Sequence, residues 1–220
     1  WGAPIEMAGK AAVPRLDLIP SDVELLTIDL DLMTKMASSS DIRILAREYI
    51  GLRTILRNAL QKIKDEDDYD YILIDCPPNL YLVTQNALAA SDSYVVTALP
   101  DHLSTIGLSI LEERIRQQND DLSTLGRLIG QKISGPTLGG IIFVRVRLGG
   151  SMIVNLHDRR MRQISREYPE IPFANYTTEG IGYGEAAEQA LPVFLISGSN
   201  PRRVASQYEE ITDEFLGRFE

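Results

Sequence analysis

The chain has 220 residues, 44% of them hydrophobic, and a formal net charge of −9, which is typical of one ordinary globular domain. No run approaches the roughly twenty apolar residues of a membrane-spanning helix. The first residues lack the basic start and apolar stretch of a signal peptide, so none is predicted. Cys76 is the only cysteine. It excludes an intrachain disulfide and a cysteine-based zinc site, and it favours a reducing cytoplasm.

The negative charge is spread unevenly along the chain. Residues 141–168 carry about +4 by simple counting, and the rest carries about −13. The basic residues of this segment are all arginines: Arg145, Arg147, Arg159, Arg160, Arg162 and Arg166. The total charge argues against wholesale wrapping by nucleic acid, whereas this segment fits either a solvated helix face or a phosphate-binding surface.

Apolar spacing predicts the elements of the first half. One stripe predicts a helix over residues 42–64, at Leu52, Ile55, Leu56, Ala59, Leu60 and Ile63. The unalternating apolar run of residues 71–75 predicts a strand buried on both faces. A second helix is expected to begin near Asn79, and residues 94–99 predict a second buried strand.

The second half continues the alternation. A helix is predicted from a stripe at Leu103, Ile106, Ile110, Leu111 and Ile115, then a strand over residues 139–145. Ile153, Leu156, Met161 and Ile164 predict another helix, residues 171–174 a short strand, and Asn200 with Pro201 the start of the last helix. This order predicts an α/β fold with a mostly parallel, doubly wound sheet flanked by helices. No linker divides it, so residues 1–220 are expected to form a single domain.

Asp75 is the first candidate for chemistry, because ligands of such sheets bind beyond the carboxyl ends of the strands. It follows four apolar residues, which is the form of a Walker B strand. A carboxylate there can hold Mg²⁺ or its water ligand, although it can equally be a strand-end cap. Pro77 and Pro78 remove two amide donors and restrict the backbone, which predicts a stiff corner or simply the end of a strand. Cys76 is expected to be buried packing.

The segment D-Y-I-L-I-D-C-P-P-N at residues 70–79 closely resembles a signature of the ParA family of deviant Walker A ATPases. Further family segments follow in the family's order: I-P-S ending at Ser21, N-A-L-A-A at 86–90, L-P at 99–100, G-L at 107–108, E-A at 185–186 and L-P-V at 191–193. The likeness covers nearly the whole chain. It identifies the sequence as a ParA/MinD-type P-loop NTPase, closest to the ParA branch that includes Soj.

The resemblance implies a Mg²⁺-dependent ATPase that dimerises on ATP, binds DNA without sequence preference and responds to a partner protein that stimulates hydrolysis. Such proteins position or segregate DNA or a protein cargo in the bacterial cytoplasm. Asp75 would be the catalytic residue and would hold Mg²⁺ through water, with Pro77 and Pro78 beside the nucleotide. The DNA-binding candidates are Arg145, Arg147, Arg159, Arg160 and Arg162.

The sequence departs from the family pattern at its phosphate-binding loop. No segment reads K-G-G-x-G-K-[ST], and Gly9-Lys10 is followed by Ala11 where a Mg²⁺-binding Ser or Thr is needed. We expect this loop, its strand and the first switch to lie upstream of Trp1, and these 220 residues alone to be inactive. Residues 26–31 echo the switch but predict the start of a helix.

Two further departures narrow the family branch. The family's late I-P-R motif corresponds to residues 173–178, which contain no arginine. The last segment, residues 207–220, is amphipathic, but it carries five acidic residues against one arginine, so attachment to an anionic membrane is not expected. A non-catalytic ParA-fold interaction and dimerisation module would share every motif described and stays an alternative.

Overall fold

The computed structural model describes residues 3–4, 16–21, 40–66 and 69–220. The predicted helix start at residues 26–31 and the pair Gly9-Lys10 lie outside these ranges. The elements are, in chain order, β1 (Ala3–Pro4), β2 (Asp17–Leu18), α1 (Ile42–Arg53), α2 (Ile55–Glu66), α3 (Leu82–Ala90), β3 (Ser93–Ala98), α4 (His102–Leu128), β4 (Thr137–Phe143), β5 (Leu148–Gly149), β6 (Met152–Ile153), α5 (Asn155–Glu167), α6 (Gly182–Glu188), a 3-10 turn (Val193–Leu195) and α7 (Ser199–Phe219).

The chain groups into two compact units by its contacts. Unit 1 contains Trp1–Pro20, Val95–Ser109 and Gly140–Glu220, and unit 2 contains Ser21–Tyr94 and Ile110–Gly139. β3, β4 and α4 each contain residues of both units. The division therefore does not decide whether the chain is a single domain, which stays a prediction.

β3 and β4 pair with each other and run parallel. The amide of Thr137 donates to the carbonyl of Asp92 (3.2 Å) at one end, and the amide of Val144 donates to the carbonyl of Ala98 (3.0 Å) at the other. Because the residue numbers rise together on both strands, the two strands point the same way. The strands predicted at residues 94–99 and 139–145 are confirmed, each beginning slightly earlier in the structure.

The prediction of a strand at residues 71–75 is wrong. These residues adopt no regular structure, and the Leu73 side chain is 77% exposed. A strand exists only through hydrogen bonds to a neighbouring strand, and none of the strands in the described ranges pairs with this segment. The segment has the apolar pattern of a strand, but an apolar pattern does not supply a pairing partner.

The helix predicted over residues 42–64 is two helices, which meet at Thr54. Asn86 of α3 is buried beside this break. Its side-chain amide donates to the carbonyl of Leu52 (2.7 Å) and accepts from the amide of Leu56 (3.2 Å). The break is therefore satisfied from another helix, which local periodicity cannot reveal. Ile50, near this break, belongs to a buried hydrophobic cluster of unit 2 with Ala89, Leu122 and Ile133.

The predicted helix α4 is confirmed, but its predicted apolar face is only partly buried. Leu103, Ile106 and Ile110 are 79%, 45% and 58% exposed, whereas Leu108 and Ile115 are each 3% exposed. Apolar residues occupy more than one face of this helix, so spacing alone does not determine which face is covered.

Unit 1 continues β4 with a hairpin and a partial third strand. β5 and β6 pair antiparallel, and α5 follows them with Ile164 fully buried. The strand predicted at residues 171–174 is reduced to a single parallel bridge between Ile141 and Pro172, and a second parallel bridge joins Val146 to Thr178. Residues 171–179 thus run alongside the carboxyl end of β4.

The last helix, α7, begins at Ser199 after Gly198, whose φ of 140° lies in a region that favours glycine. The predicted cap at Asn200 is therefore wrong by two residues. The Asn200 side chain instead donates to the carboxylate of Glu185 (3.1 Å). Ala186, Val193, Val204 and Ala205 form the core beneath this helix, so the family segments at 185–186 and 191–193 are packing segments.

The end of α7 holds the segment that runs beside β4. The Glu214 carboxylate accepts from the backbone amides of Ala174 (2.9 Å) and Asn175 (3.0 Å). Arg218 donates to the carbonyl of Ile171 (2.9 Å) and to Glu214 (2.6 Å). Hydrogen bonds with a charged partner are stronger than neutral ones, so this pair anchors residues 171–175.

We expect Glu214→Gln to lower the free energy of unfolding by about 1–3 kcal/mol at neutral pH, because it leaves partly buried donors without a charged acceptor. Burial works to raise the pKa of Glu214, but hydrogen bonds from Asn175, Ala174 and Arg218 outweigh it and lower the pKa below its ordinary 4.5. The stabilisation is therefore complete above about pH 4.5 and is lost as the pH falls through the lowered value.

Urea unfolding at several pH values measures this effect. Exposed Glu209 lies on the same helix, and Glu209→Gln is the matched control. Equal destabilisation by both variants, or a Glu214 effect that grows at low pH, would contradict the prediction.

Candidate functional site

The predicted nucleotide site is an exposed corner before α3. Asp75, Pro77 and Pro78 all lie at the surface. The amide of Asn79 donates to the carbonyl of Pro77 (2.8 Å), and the side chain of Asn79 accepts from the amide of Tyr81 (3.0 Å). These two bonds close a turn that leads into α3.

Asp75 is exposed and forms no hydrogen bond or ion pair with the part of the chain that the structure describes. No cluster of three or more His, Cys, Asp or Glu side chains that could hold a metal occurs among the described residues. Mg²⁺ commonly takes one or two protein carboxylates and completes its shell with water and phosphate oxygens. Asp75 fits that role as a hard oxygen donor, together with phosphate and water.

Cys76 is exposed, so the prediction that it is buried is wrong. Its thiol lies 3.7 Å from the carbonyl of Ile74. Partial desolvation raises the pKa of the Cys76 thiol above its ordinary 9.0, and the nearby Asp75 carboxylate contributes a smaller effect in the same direction. Because only the thiolate is nucleophilic, this environment does not activate the residue.

The arginines after β4 are held by a side chain that the sequence analysis missed. The Glu179 carboxylate lies 3.1 Å from Nε of Arg147 and 3.8 Å from Nη2 of Arg145. Arg145 has a φ of 54°, in the left-handed region. Nothing in the local sequence signals this pairing, since Glu179 follows the arginines only after β5, β6 and α5.

Three of the four arginines of α5 line a shallow depression of about 290 Å³, together with Asn155 and Asp158; they are Arg159, Arg162 and Arg166. The single Nε–H of Arg162 is shared between the two carboxylate oxygens of Asp158 (3.1 and 3.0 Å), and Nη2 of Arg162 also donates to Asp158. These hydrogen bonds raise the pKa of Arg162. Arg159 and Arg166 form no hydrogen bond or ion pair within the described residues. Arg159, Arg162 and Arg166 are separated by three and four residues, which places their side chains on one face of α5.

Arg160 differs from its neighbours on α5. It is partly buried, and Nη1 donates to the side chain of Gln163 (2.8 Å). The structure thus sorts the five predicted arginines: Arg145 and Arg147 lie with Glu179, Arg159 and Arg162 line the depression, and Arg160 is partly withdrawn. Arg166 joins the depression although it was not among the five candidates.

Exposed apolar side chains lie close along the chain to this basic surface. Leu148 and Met152 belong to the hairpin, and Leu156 to the first turn of α5. Among the described helices, none is long and apolar enough to cross a membrane. These exposed apolar side chains therefore belong to the same stretch of sequence, residues 148–166, as the arginines of α5.

Comparisons with known proteins identify the family. A family model described as an AAA domain matches residues 5–125, more than half of the chain. A protein of Mycoplasma pneumoniae named ParA family protein is 25% identical, over 91% of this chain and 64% of its own length. The chain belongs to the ParA-type ATPase family. The cell division protein PomZ of Myxococcus xanthus is 26% identical, over 95% of this ParA-type chain and 56% of PomZ.

A solved structure supports the fold of this ParA-type chain. The complex of a point variant of Cyanothece McdA with ATP matches with a TM-score of 0.53 and 18% identity, over 89% of this chain and 78% of that one. At that identity the match concerns the fold alone. It confirms the predicted α/β fold with a parallel sheet, whereas the family resemblance is confirmed by the family model and the two relatives named above. The chain spans only 56–64% of the length of the two relatives named above.

We expect iodoacetamide to modify Cys76 in the native protein, because the thiol is exposed. At pH 7 the rate should be lower than that of a cysteine in an unstructured peptide, and it should rise with pH, because the raised pKa leaves less thiolate. Asp75→Asn removes the nearby negative charge and should increase the rate by about twofold.

Mass spectrometry of the one cysteine-containing peptide measures the rate. Asp70→Asn, at an exposed carboxylate earlier in the segment, is the matched control and should leave the rate unchanged. Modification only after unfolding would restore the buried assignment of Cys76.

Proposed function

We propose that this chain belongs to a Mg²⁺-dependent ATPase that dimerises on ATP and positions or segregates DNA or a protein cargo by binding DNA without sequence preference. The observation that carries the proposal is the depression on α5, where Arg159 and Arg166 have no partner within the described residues. Family membership supports the nucleotide part. The proposal places the protein in the cytoplasm, on the nucleoid, with a partner protein that stimulates hydrolysis.

The nucleotide part rests on the corner at residues 75–79. The exposed carboxylate of Asp75 is available to hold a water ligand of Mg²⁺, and bound Mg²⁺ would neutralise charge on the transferred phosphate. The rings of Pro77 and Pro78 fix the φ angle at both positions, which makes the corner stiff. A stiff corner beside a phosphate can report whether that phosphate is present.

The DNA part rests on the chemistry of arginine. Guanidinium groups bind backbone phosphates and thereby position a protein on DNA without reading its sequence. A monomer with a few such contacts binds weakly, whereas two linked copies gain affinity without any new type of contact. ATP-dependent dimerisation would therefore switch DNA binding on and off.

A second candidate is a ParA-fold interaction and dimerisation module without ATP turnover. Exposed Met152 favours it, together with the exposed arginines of α5, because Met and Arg are enriched at protein interfaces. Calorimetric titration of the full-length protein with ATP and Mg²⁺ separates the two functions. The absence of both binding and hydrolysis would favour the interaction module.

We expect Asp75→Ala in the full-length protein to reduce ATP hydrolysis by about 10² or more, as loss of a group that stabilises developing charge typically does. The fold should be unaffected, because Asp75 is exposed. Steady-state phosphate release measures the effect, and a circular dichroism melt checks the fold. Asp70→Ala is the matched control, and unchanged turnover in Asp75→Ala would refute the assignment.

We expect Arg159→Glu and Arg166→Glu each to weaken binding to random-sequence duplex DNA and to spare ATP hydrolysis. Each lost phosphate contact should flatten the plot of log affinity against log salt by about one unit. Fluorescence anisotropy over a salt series, with and without ATP, measures both quantities. Exposed Arg202 on α7 offers the charge-matched control Arg202→Glu.

Two outcomes would contradict this proposal. If the ATP-bound wild type ignores DNA even at low salt, the arginines serve a protein partner or a solvated face. If Arg202→Glu weakens binding as much as the α5 variants do, overall charge and not this surface determines affinity.

A further inference from the structure

Glu179 would compete with DNA for two of the arginines that are proposed to contact it, Arg145 and Arg147. Its two carboxylate oxygens are shared between two arginines, one with Arg147 (3.1 Å) and the other with Arg145 (3.8 Å). Both guanidinium groups are thereby turned toward an acidic group of the same chain. A phosphate of DNA would have to compete with that carboxylate.

The backbone determines where Glu179 lies. The amide of Val146, between the two arginines, donates to the carbonyl of Thr177 (2.8 Å), and the amide of Glu179 donates back to the carbonyl of Val146 (3.2 Å). The neighbouring Thr178 is held by Gln207 of α7, through two hydrogen bonds of 2.9 Å each. Because this backbone is anchored on both sides, the carboxylate stays opposite the arginines.

The ion pairs themselves are weak enough to exchange. The side chains of Arg145, Arg147 and Glu179 are 67%, 64% and 39% exposed. Ion pairs between exposed side chains contribute little and are screened by salt. A closely spaced array of phosphates can therefore displace the carboxylate, whereas a single small anion competes poorly.

We propose that Glu179 is an internal competitor that holds Arg145 and Arg147 away from phosphate until a polyanion displaces it. This inference rests on the proposed function and adds its regulation. The arginines then act in two stages. Arg159 and Arg166 on α5 make the first contacts, and Arg145 and Arg147 engage only where phosphate density is high enough to replace Glu179.

Glu179→Gln tests the proposal in the full-length protein with ATP. Removing the carboxylate should tighten binding to random-sequence duplex DNA by about three- to tenfold at low salt. The plot of log affinity against log salt should steepen by about one unit for each arginine released. Adding Arg147→Ala to Glu179→Gln should reverse most of the gain.

A matched control separates this effect from net charge. Glu188 is an exposed carboxylate of the same unit, and Glu188→Gln changes the total charge by the same amount. Glu179→Asp keeps the charge and should stay close to the wild type. If Glu179→Gln binds DNA no more tightly than Glu188→Gln, with the same salt slope, the proposal is overturned.

A second readout does not depend on DNA. Phenylglyoxal modifies free arginines, and mass spectrometry of the peptide that contains Arg147 gives the rate. Faster modification in Glu179→Gln than in the wild type supports the competitor, and an unchanged rate overturns it. Absence of DNA binding in every variant would refute the proposed function, and the modification rate would then decide on the ion pair by itself.

Discussion

The rest of unit 1 depends on one constraint, which is that the buried backbone groups at the carboxyl end of β4 need hydrogen-bond partners. Phe143 and Val146 are fully buried there, and buried backbone amides and carbonyls must find partners inside the protein. Residues 171–179 supply them: the amide of Thr177 donates to the carbonyl of Phe143 (3.0 Å), and Val146 both donates and accepts. This requirement holds residues 171–179 against the carboxyl end of β4. The acidic side chain at residue 179 consequently lies beside the arginines that follow β4.

Unit 2 meets a similar requirement with one buried side chain. Asn86 satisfies the backbone groups that the break at Thr54 leaves between α1 and α2, and it thereby fixes α3 against both helices. The corner with Asp75 leads directly into α3, so the candidate nucleotide site rests on a helix that is firmly held. The corner itself stays exposed. A site with a fixed base and a free edge suits a group that must meet phosphate and water.

Much of the fold was predictable because it depends on local patterns. Continuous apolar runs predicted the strands near residues 94–99 and 139–145. Apolar residues at helical spacing predicted most of the helices. Three of the predictions that the structure corrects have related causes. Residues 71–75 have the pattern of a strand but no described partner. The helix over 42–64 is divided because a side chain from α3 satisfies the break. The apolar face of α4 is only partly covered, since burial depends on what packs against it.

For the candidate site, the sequence by itself determined the family, through the order of its segments, and the residue types available for chemistry: a carboxylate before two prolines and a cluster of arginines. These are properties of neighbouring residues, and the chain carries them whatever its fold. Only the tertiary structure decided how the arginines are used. It pairs Arg145 and Arg147 with Glu179 and places Arg159 and Arg166 in the depression on α5. The physical reason is that contacts between distant residues follow from which backbone groups are buried together, and no periodicity in the sequence encodes that pairing.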